Sequence, residues 1–205
     1  MSILLLIRHG ENDYLKNSIM PGRIPGLHLN EEGRAQAEAL SAALKELPIV
    51  AIYASPLERA IETAAPLARL KGLEIQTDAD LLDTDVGEWA GHSWKGLEKS
   101  DVWQTVQHTP AQFRFPGGES FAENQRRTIA ALERITCAHG EKDLVAVYFH
   151  ADPIKLAMAH YLGLPLDNFQ RLTAHTSSVT ILKMDGANAK LLGMNLIPPF
   201  TFPKF

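Results

Sequence analysis

The sequence predicts an α/β fold, a three-layer α/β/α sandwich around a mostly parallel central sheet. Short apolar runs with the length of buried strands alternate along the chain with stretches of helical periodicity. The chain has 205 residues, of which 45% are hydrophobic and 21% are charged, as is typical of a globular domain. We therefore expect one domain over residues 1–205, with residues 80–119 inserted as a cover segment.

Three apolar runs predict strands that lie side by side in the sheet. They cover residues 3–7, 49–53 and 144–149, and a short strand is expected near 74–77. Runs without polar alternation are typical of strands that are buried on both faces. Residues 178–184 and 189–194 flank Asp185-Gly186, which predicts a hairpin that closes the sheet.

Four helices are predicted from their first turns. Asn30 precedes a periodic stretch, and Ser120-Phe121-Ala122-Glu123 is a capping box for a helix to about residue 138. Ser55-Pro56-Leu57-Glu58 predicts a third helix, with Ser55 as N-cap, and Asp152-Pro153 a fourth that ends near residue 162. Residues 80–119 show no lasting period and are too long for a bare connection, so we expect a cover with a helix near 93–107.

Composition excludes several functional classes. Lys and Arg total 20 against 24 Asp and Glu, so the net charge of −4 lacks the basic field that nucleic-acid binding needs. The single cysteine, Cys137, allows neither an intramolecular disulfide nor a Cys-based zinc cluster. No apolar run approaches a membrane span, and the run at 3–7 is too short for a signal peptide. We expect a cytoplasmic protein with no nucleic-acid or membrane partner; the apolar tail at 197–203 leaves a homodimer possible.

Polar side chains follow three of the predicted strands. Arg8 and His9 end the first strand, Arg59 lies in the first turn of the helix after the second, and His150 follows the strand at 144–149. Ligands of open α/β sheets bind beyond the carboxyl ends of the strands. If these strands are parallel neighbours, two histidines and two arginines converge at one edge.

These residue types suit phosphoryl transfer without a metal. Arginine matches the geometry of a phosphate group, and helix N-termini add backbone donors for anions. A neutral imidazole can attack phosphorus and hold the phosphoryl group covalently. We therefore predict no metal and no cofactor.

The same residues belong to a longer series of motifs that resembles the histidine phosphatase superfamily, which includes the cofactor-dependent phosphoglycerate mutases. The matching blocks are Leu6-Ile7-Arg8-His9-Gly10-Glu11, Gly22-Arg23, Leu29-Asn30-Glu31-Glu32-Gly33-Arg34-Ala35-Gln36-Ala37, Ser55-Pro56-Leu57-Glu58-Arg59-Ala60-Ile61-Glu62-Thr63, Gly87-Glu88-Trp89-Ala90-Gly91, Phe115-Pro116-Gly117-Gly118-Glu119-Ser120 and His150. The resemblance implies that His9 is the phosphorylated nucleophile. It also implies that Arg8, Arg59 and His150 complete the phosphate pocket.

The chain differs from the family pattern at the position of the general acid, which is usually a glutamate. Its place, four residues before Gly87, holds Asp83, whose side chain is one methylene shorter. The resemblance implies that Asp83 protonates the leaving alkoxide, with Asp85 and Glu88 as alternatives.

Three further residues are candidates for substrate binding. Asn12 stands where the family usually has threonine, and Ala151 where it often has glycine. Arg23 follows Gly22 in a loop, where a salt-bridge role competes with a binding role. We predict a phosphatase that acts on a small phosphorylated metabolite through phosphohistidine at His9. The alternatives are a phosphoglycerate mutase and an inactive phosphate-binding module.

Overall fold

The computed structural model describes residues 2–97, 101–186 and 188–200, which fold around a six-stranded sheet. The strands are β1 (Ile3–Arg8), β2 (Ile49–Ala54), β3 (Ile75–Thr77), β4 (Leu144–Phe149), β5 (Val179–Asp185) and β6 (Asn188–Leu196). Their spatial order is β3-β2-β4-β1-β5-β6. The pairs β1–β4, β2–β4 and β2–β3 are parallel, and β5 is antiparallel to both β1 and β6. The predicted mostly parallel sheet and its closing hairpin are confirmed.

Helices cover both faces of this sheet. The α-helices of the described residues are α1 (Asp13–Lys16), α2 (Glu31–Leu44), α3 (Glu58–Lys71), α4 (Trp94–Leu97), α5 (Asp101–His108), α6 (Phe121–Cys137) and α7 (Ala151–Tyr161). Leu40 of α2 and Leu67 of α3 share one core with Leu5 of β1. On the opposite face, Leu132 of α6 and Ile154 of α7 share a second core with the neighbouring strand residues. The alternation of β1 side chains between two apolar cores explains why its sequence is apolar throughout.

Two predicted helix starts were each wrong by two residues. Ser55 is not an N-cap: α3 begins at Glu58, and its N-cap is Leu57. The N–H of Ser55 donates to the carbonyl of Tyr148 at 2.8 Å, so the residue still extends the β2 side of the sheet. Likewise α7 begins at Ala151 with His150 as N-cap, while Asp152 pairs with Lys155 within the first turn.

The cover segment builds a third apolar cluster beside the sheet. Short 3-10 helices at Ala79–Leu81, Gly87–Trp89 and Pro110–Gln112 flank α4 and α5. Phe113 and Phe115 pack there against Phe121 of α6. The helix predicted at 93–107 is present as α4 and α5, whereas residues 98–100 lie outside the described residues.

None of the helices in the described ranges is long and apolar enough to cross a membrane. Phe200 packs on the core between β1 and α2, so the described part of the apolar tail contacts the domain itself. Residues 201–203 of that predicted segment lie outside the described residues. The single domain over residues 1–205 stays a prediction.

Candidate active site

The parallel register of the central strands brings the two histidines together. Arg8 is opposite Phe149 in the β1–β4 ladder, so the next residues, His9 and His150, leave the sheet at the same edge. Their ring centroids are 5.1 Å apart, at an interplanar angle of 62°. Arg59 enters from the first turn of α3 and contacts His9.

Hydrogen bonds fix the orientation of the His9 ring. Its Nδ1 lies 2.7 Å from the carbonyl oxygen of Gly10, which can only accept, so Nδ1 carries the proton. The lone pair is therefore on Nε2, which faces the Nε of Arg59 at 3.3 Å. Burial, followed by the charges of Arg59 and His150, holds the pKa of His9 well below its ordinary value. The neutral, nucleophilic form is the stable one.

Glycines at two crossing segments allow this placement. A Cβ on Gly10 would lie 2.7 Å from the carbonyl oxygen of Gly33, and a Cβ on Gly33 would lie 2.0 Å from that of Glu11. The loop after β1 can thus pass directly over the N-terminus of α2. Thr63 of α3 accepts from the N–H of Gly10 at 2.9 Å, which fixes the loop from the other side.

Arg59 is the central cation of the site and is fully buried. Its Nη2 donates to the carbonyl of Gly22 at 2.7 Å and to Asp83 Oδ2 at 3.0 Å. Nη1 is buried and has no hydrogen-bond partner among the described residues. Burial lowers the pKa of Arg59, and the neighbouring carboxylate of Asp83 opposes that shift. A buried donor without a partner is costly, and a bound anion would satisfy it.

His150 is also fully buried, and its two nitrogens have different surroundings. Nε2 lies 2.9 Å from the hydroxyl of Ser55. Nδ1 makes no hydrogen bond within the described part of the chain and lies 3.5 Å from Asp83 Oδ2. Burial and then the charge of Arg59 hold the pKa of His150 well below its ordinary value.

Asp83 is the carboxylate nearest to these groups. Its Oδ1 accepts from the N–H of Thr84 at 2.9 Å, and its carbonyl accepts from Arg23 at 2.9 Å and from Arg127 at 3.0 Å. Of the three carboxylates predicted as acids, Asp83 is the one that lines the cavity described below. Asp85 instead accepts from the N–H of Gly87, so the geometry favours Asp83 over it.

Two of the other predicted residues present unused donors. Arg8 donates from one terminal nitrogen to the carbonyl of Ala174 at 2.7 Å, while its buried Nε finds no partner in the described ranges. Asn12 caps α1 through Oδ1, which accepts from Leu15, and its buried Nδ2 is likewise without a described partner. Both amide-type and guanidinium donors suit a phosphate oxygen.

The remaining two predicted binding residues differ in their placement. Ala151 lines the cavity as the first residue of α7. Arg23 is outside the described lining and contacts the carbonyl of Asp83 and, at 3.1 Å, the carboxylate of Glu119. Arg23 thus makes a salt bridge in the free site, and its binding role stays a prediction.

A cavity of about 260 Å³ opens in front of His9. Arg8, His9 and Asp83 form one end of it, and side chains of the cover segment form much of the remainder. Within residues 2–97, 101–186 and 188–200, no cluster of three or more His, Cys, Asp or Glu side chains has the arrangement of a metal site.

Three supporting residues were missed by the sequence analysis. Ser55 contacts His150, Thr63 holds the His9 loop, and Arg127 donates to three carbonyls of the Asp83 segment, namely those of Asp80, Leu82 and Asp83. Ser55 and Thr63 stand in or near the motif Ser55-Pro56-Leu57-Glu58, which could have suggested them. Nothing in the local sequence distinguishes Arg127 from other arginines on an amphipathic helix.

Comparison with known proteins gives the same assignment. The family model of the histidine phosphatase superfamily (branch 1) matches residues 4–197. The chain belongs to the histidine phosphatase superfamily. The histidine phosphatase called phosphoserine phosphatase 1, from Hydrogenobacter thermophilus, is 30% identical over 199 residues, covering 94% of this chain and 92% of the relative.

Other relatives and solved structures agree. A 2,3-bisphosphoglycerate-dependent phosphoglycerate mutase from Thermoplasma acidophilum is 27% identical, over 94% of this chain and 92% of the mutase. Mycobacterial glucosyl-3-phosphoglycerate phosphatase, in a complex with VO3, superimposes with a TM-score of 0.86 at 27% identity, covering 94% of this chain and 98% of that one. Bacillus stearothermophilus YhfR gives 0.88 at 27% identity, over 95% and 97% of the two chains. The predicted family, fold and phosphatase class are confirmed.

Proposed function

We propose that this histidine phosphatase hydrolyses a small phosphorylated metabolite through a phosphohistidine formed on Nε2 of His9. The observation that carries the proposal is the environment of that nitrogen. In the free site its lone pair accepts from Nε of Arg59, a donor for which a bound phosphate oxygen would compete, while Nδ1 is engaged with the carbonyl of Gly10. A fixed, neutral imidazole beside a buried guanidinium is what in-line attack on a phosphate ester requires.

In the first step the Nε2 lone pair forms a bond to phosphorus, and the phosphorus–oxygen bond to the leaving group breaks. We assign the three peripheral oxygens to the donors of Arg8, Arg59 and Asn12 that have no partner among the described residues. If Ser55 donates its hydroxyl proton to His150 Nε2, the ring proton is on Nδ1, which adds a fourth donor. These donors stabilise the charge that spreads over the oxygens in the transition state.

The leaving oxygen needs a proton, and we assign it to the carboxyl of Asp83. In the free site Oδ2 of Asp83 lies 3.0 Å from Arg59 Nη2 and 3.5 Å from His150 Nδ1. A bound phosphate competes with the Asp83 carboxyl for both groups. Asp83 then gives its proton to the alkoxide and is left as a carboxylate.

Hydrolysis reverses these roles. The Asp83 carboxylate takes a proton from a water molecule as the water oxygen attacks phosphorus. The bond between phosphorus and Nε2 breaks, which returns the electron pair to His9 and releases inorganic phosphate. Every proton and electron pair in this cycle belongs to side chains of the chain, the ester or water.

Trapping of the phosphoenzyme tests the proposal. Mixing the protein with a ³²P-labelled ester and quenching it should give an acid-labile label that is absent from the His9→Asn variant. The His160→Asn variant, at an exposed position of α7, is the matched control and should keep the label. Turnover without any phosphoenzyme, or a label that persists in His9→Asn, would contradict the mechanism. Phosphate binding without turnover of any ester would instead favour the inactive binding module, and phosphoryl transfer to phosphoglycerate rather than water would favour the mutase.

We further propose that the protein acts in the cytoplasm, where its free and exposed Cys137 would remain reduced. Its proposed partner is the small phosphorylated substrate alone. A homodimer is testable by sedimentation velocity, in which a single species with the mass of one chain would exclude it.

A further inference from the structure

The cavity has a charged end and a long apolar remainder. Beyond the end formed by Arg8, His9 and Asp83, its walls are largely hydrophobic. The side chains used in the following argument are Trp94, Trp103, Val106, Phe115 and Phe121. A leaving group attached to the phosphate would therefore extend between aromatic and aliphatic side chains.

Part of this wall is held rigidly. Phe115 and Phe121 have 4% and 1% of their surface exposed, and their ring centroids are 5.4 Å apart in a T-shaped contact. Phe121 also packs against Phe169 at 4.8 Å. Because the rings are fixed by their neighbours, they present an apolar surface that is formed before a ligand binds.

The charges along the cavity disfavour a second anionic group on the substrate. Arg8 is the only cation among the described lining residues, and it belongs to the phosphate end. Asp152 lines the cavity as well, and the Nζ of Lys155 is bound to it at 2.9 Å and to Gln170 at 2.7 Å. A substrate carboxylate would thus find the nearby lysine already paired and would have to displace Asp152 from it.

The volume limits the size of the leaving group. About 260 Å³ must hold the phosphoryl group and whatever is attached to it, which lies below the usual range of roughly 300–1,000 Å³ for ligand pockets. A single ring or a short branched alkyl chain fits within that space, whereas most of a disaccharide or a dinucleotide would have to project through the opening into solvent.

We propose that the substrates are phosphate monoesters of uncharged alcohols that carry one aromatic ring or a compact apolar group. Esters with a carboxylate near the phosphate, such as phosphoserine and 3-phosphoglycerate, belong to the disfavoured class. The turnover experiments below rest on the proposed function. The binding experiment does not, because it uses compounds that the protein cannot hydrolyse.

Turnover is compared among primary alkyl esters, so that the chemistry of the leaving oxygen stays similar. Because the cavity buries one phenyl group, phenethyl phosphate should have a kcat/KM at least about tenfold above that for ethyl phosphate. Phosphoserine and 3-phosphoglycerate should fall below phenethyl phosphate by at least the same factor. The inference is wrong if either carboxylate ester has the higher kcat/KM.

Variants locate the effect. Trp94→Ala and Trp103→Ala, both at half-buried positions, should each lower kcat/KM for phenethyl phosphate by about fivefold or more and change that for ethyl phosphate less than about twofold. Val102→Ala, at an exposed position of α5 outside the cavity, is the matched control and should change neither. Asp152→Asn should raise kcat/KM for phosphoserine by about threefold or more, and Asp185→Asn in the distant hairpin should not. Equal effects on both alkyl esters, or no effect of any cavity variant, would overturn the assignment.

Phosphonates cannot be hydrolysed, so their binding tests the proposed substrate class independently of the proposed function. By calorimetry, phenethylphosphonate should bind at least about tenfold more tightly than methylphosphonate, and 3-phosphonopropionate should bind more weakly than the phenyl compound. This preference without any turnover would support the substrate class and refute the proposed function. Turnover with the opposite preference would support the proposed function and refute the substrate class.

Discussion

The Arg59→Met substitution removes the guanidinium from the centre of the site and keeps a flexible side chain of similar length. Arg59 is fully buried, donates to His9, Gly22 and Asp83, and has one further donor, Nη1, without a described partner. Loss of one preorganised donor to a developing oxyanion typically costs about 3–4 kcal/mol, so kcat should fall by about 10²–10³.

The same substitution should change stability much less, because two effects oppose each other. Losing the bonds to Gly22 and Asp83 costs about 1.5–3 kcal/mol each, although Asp83 keeps 15% of its side chain exposed and water can partly replace the guanidinium. Against this, the buried Nη1 no longer lacks a partner, which returns about 1–3 kcal/mol, and the desolvation of a buried charge disappears. We expect the free energy of unfolding to fall by less than about 3 kcal/mol.

Two measurements on the same sample separate these expectations. Phosphate release from p-nitrophenyl phosphate gives kcat, and urea unfolding gives the free energy of unfolding. Arg69→Met, an exposed position of the same helix, is the matched control and should alter neither by more than a few tenths of a kcal/mol. A folded Arg59→Met variant with kcat within about tenfold of the parent protein would refute the catalytic role. A stability loss well above about 4 kcal/mol would show that the guanidinium mainly supports the fold.

Three further predictions concern the acid, its support and the buried histidines. Asp83→Asn should slow turnover of an alkyl ester by about 10²–10⁴ and leave phosphate affinity nearly intact. Turnover of p-nitrophenyl phosphate should slow less, because its leaving group needs no proton. Equal losses of turnover with both esters would mean that Asp83 is not the acid. Arg127→Lys has three donors and cannot reproduce the five bonds that Arg127 makes to three carbonyls and to Glu119, so the alkyl ester should again lose more kcat than p-nitrophenyl phosphate, and equal kcat values to those of the parent would exclude the positioning role. The pKa values of His9 and His150 in the folded protein lie below the ordinary value of about 6.5. As the pH falls below about 6.5, the unfolded chain therefore binds more protons than the folded protein does. The free energy of unfolding then declines by up to about 1.4 kcal/mol per pH unit for each histidine. In urea unfolding between about pH 7.5 and 5.5, the free energy of unfolding should therefore decline less steeply for His150→Gln than for the parent protein. An unchanged slope would contradict the lowered pKa of His150.

Most of the fold could be predicted because its signals are local. The apolar run of β1 and the capping box at Ser120 each lie within a few residues, and the structure reproduces both. The predicted start of α3 was wrong because Ser55-Pro56-Leu57-Glu58 has the residue types of an N-cap motif, whereas the backbone at Ser55 continues the sheet. A contact with Tyr148 decides between these conformations, and no local pattern contains it.

The sequence by itself predicted which side chains meet at the ends of the central strands, because Arg8 and His9 follow one apolar run and His150 follows another. Only the tertiary structure decided how those groups are tuned. The bond between Ser55 and His150 joins positions 95 residues apart, and the partnerless Nη1 of Arg59 is defined by what packs around it. The apolar walls of the cavity likewise come from the cover segment and from α6. Strand formation depends on neighbours along the chain, whereas burial, charge pairing and cavity shape depend on neighbours in space.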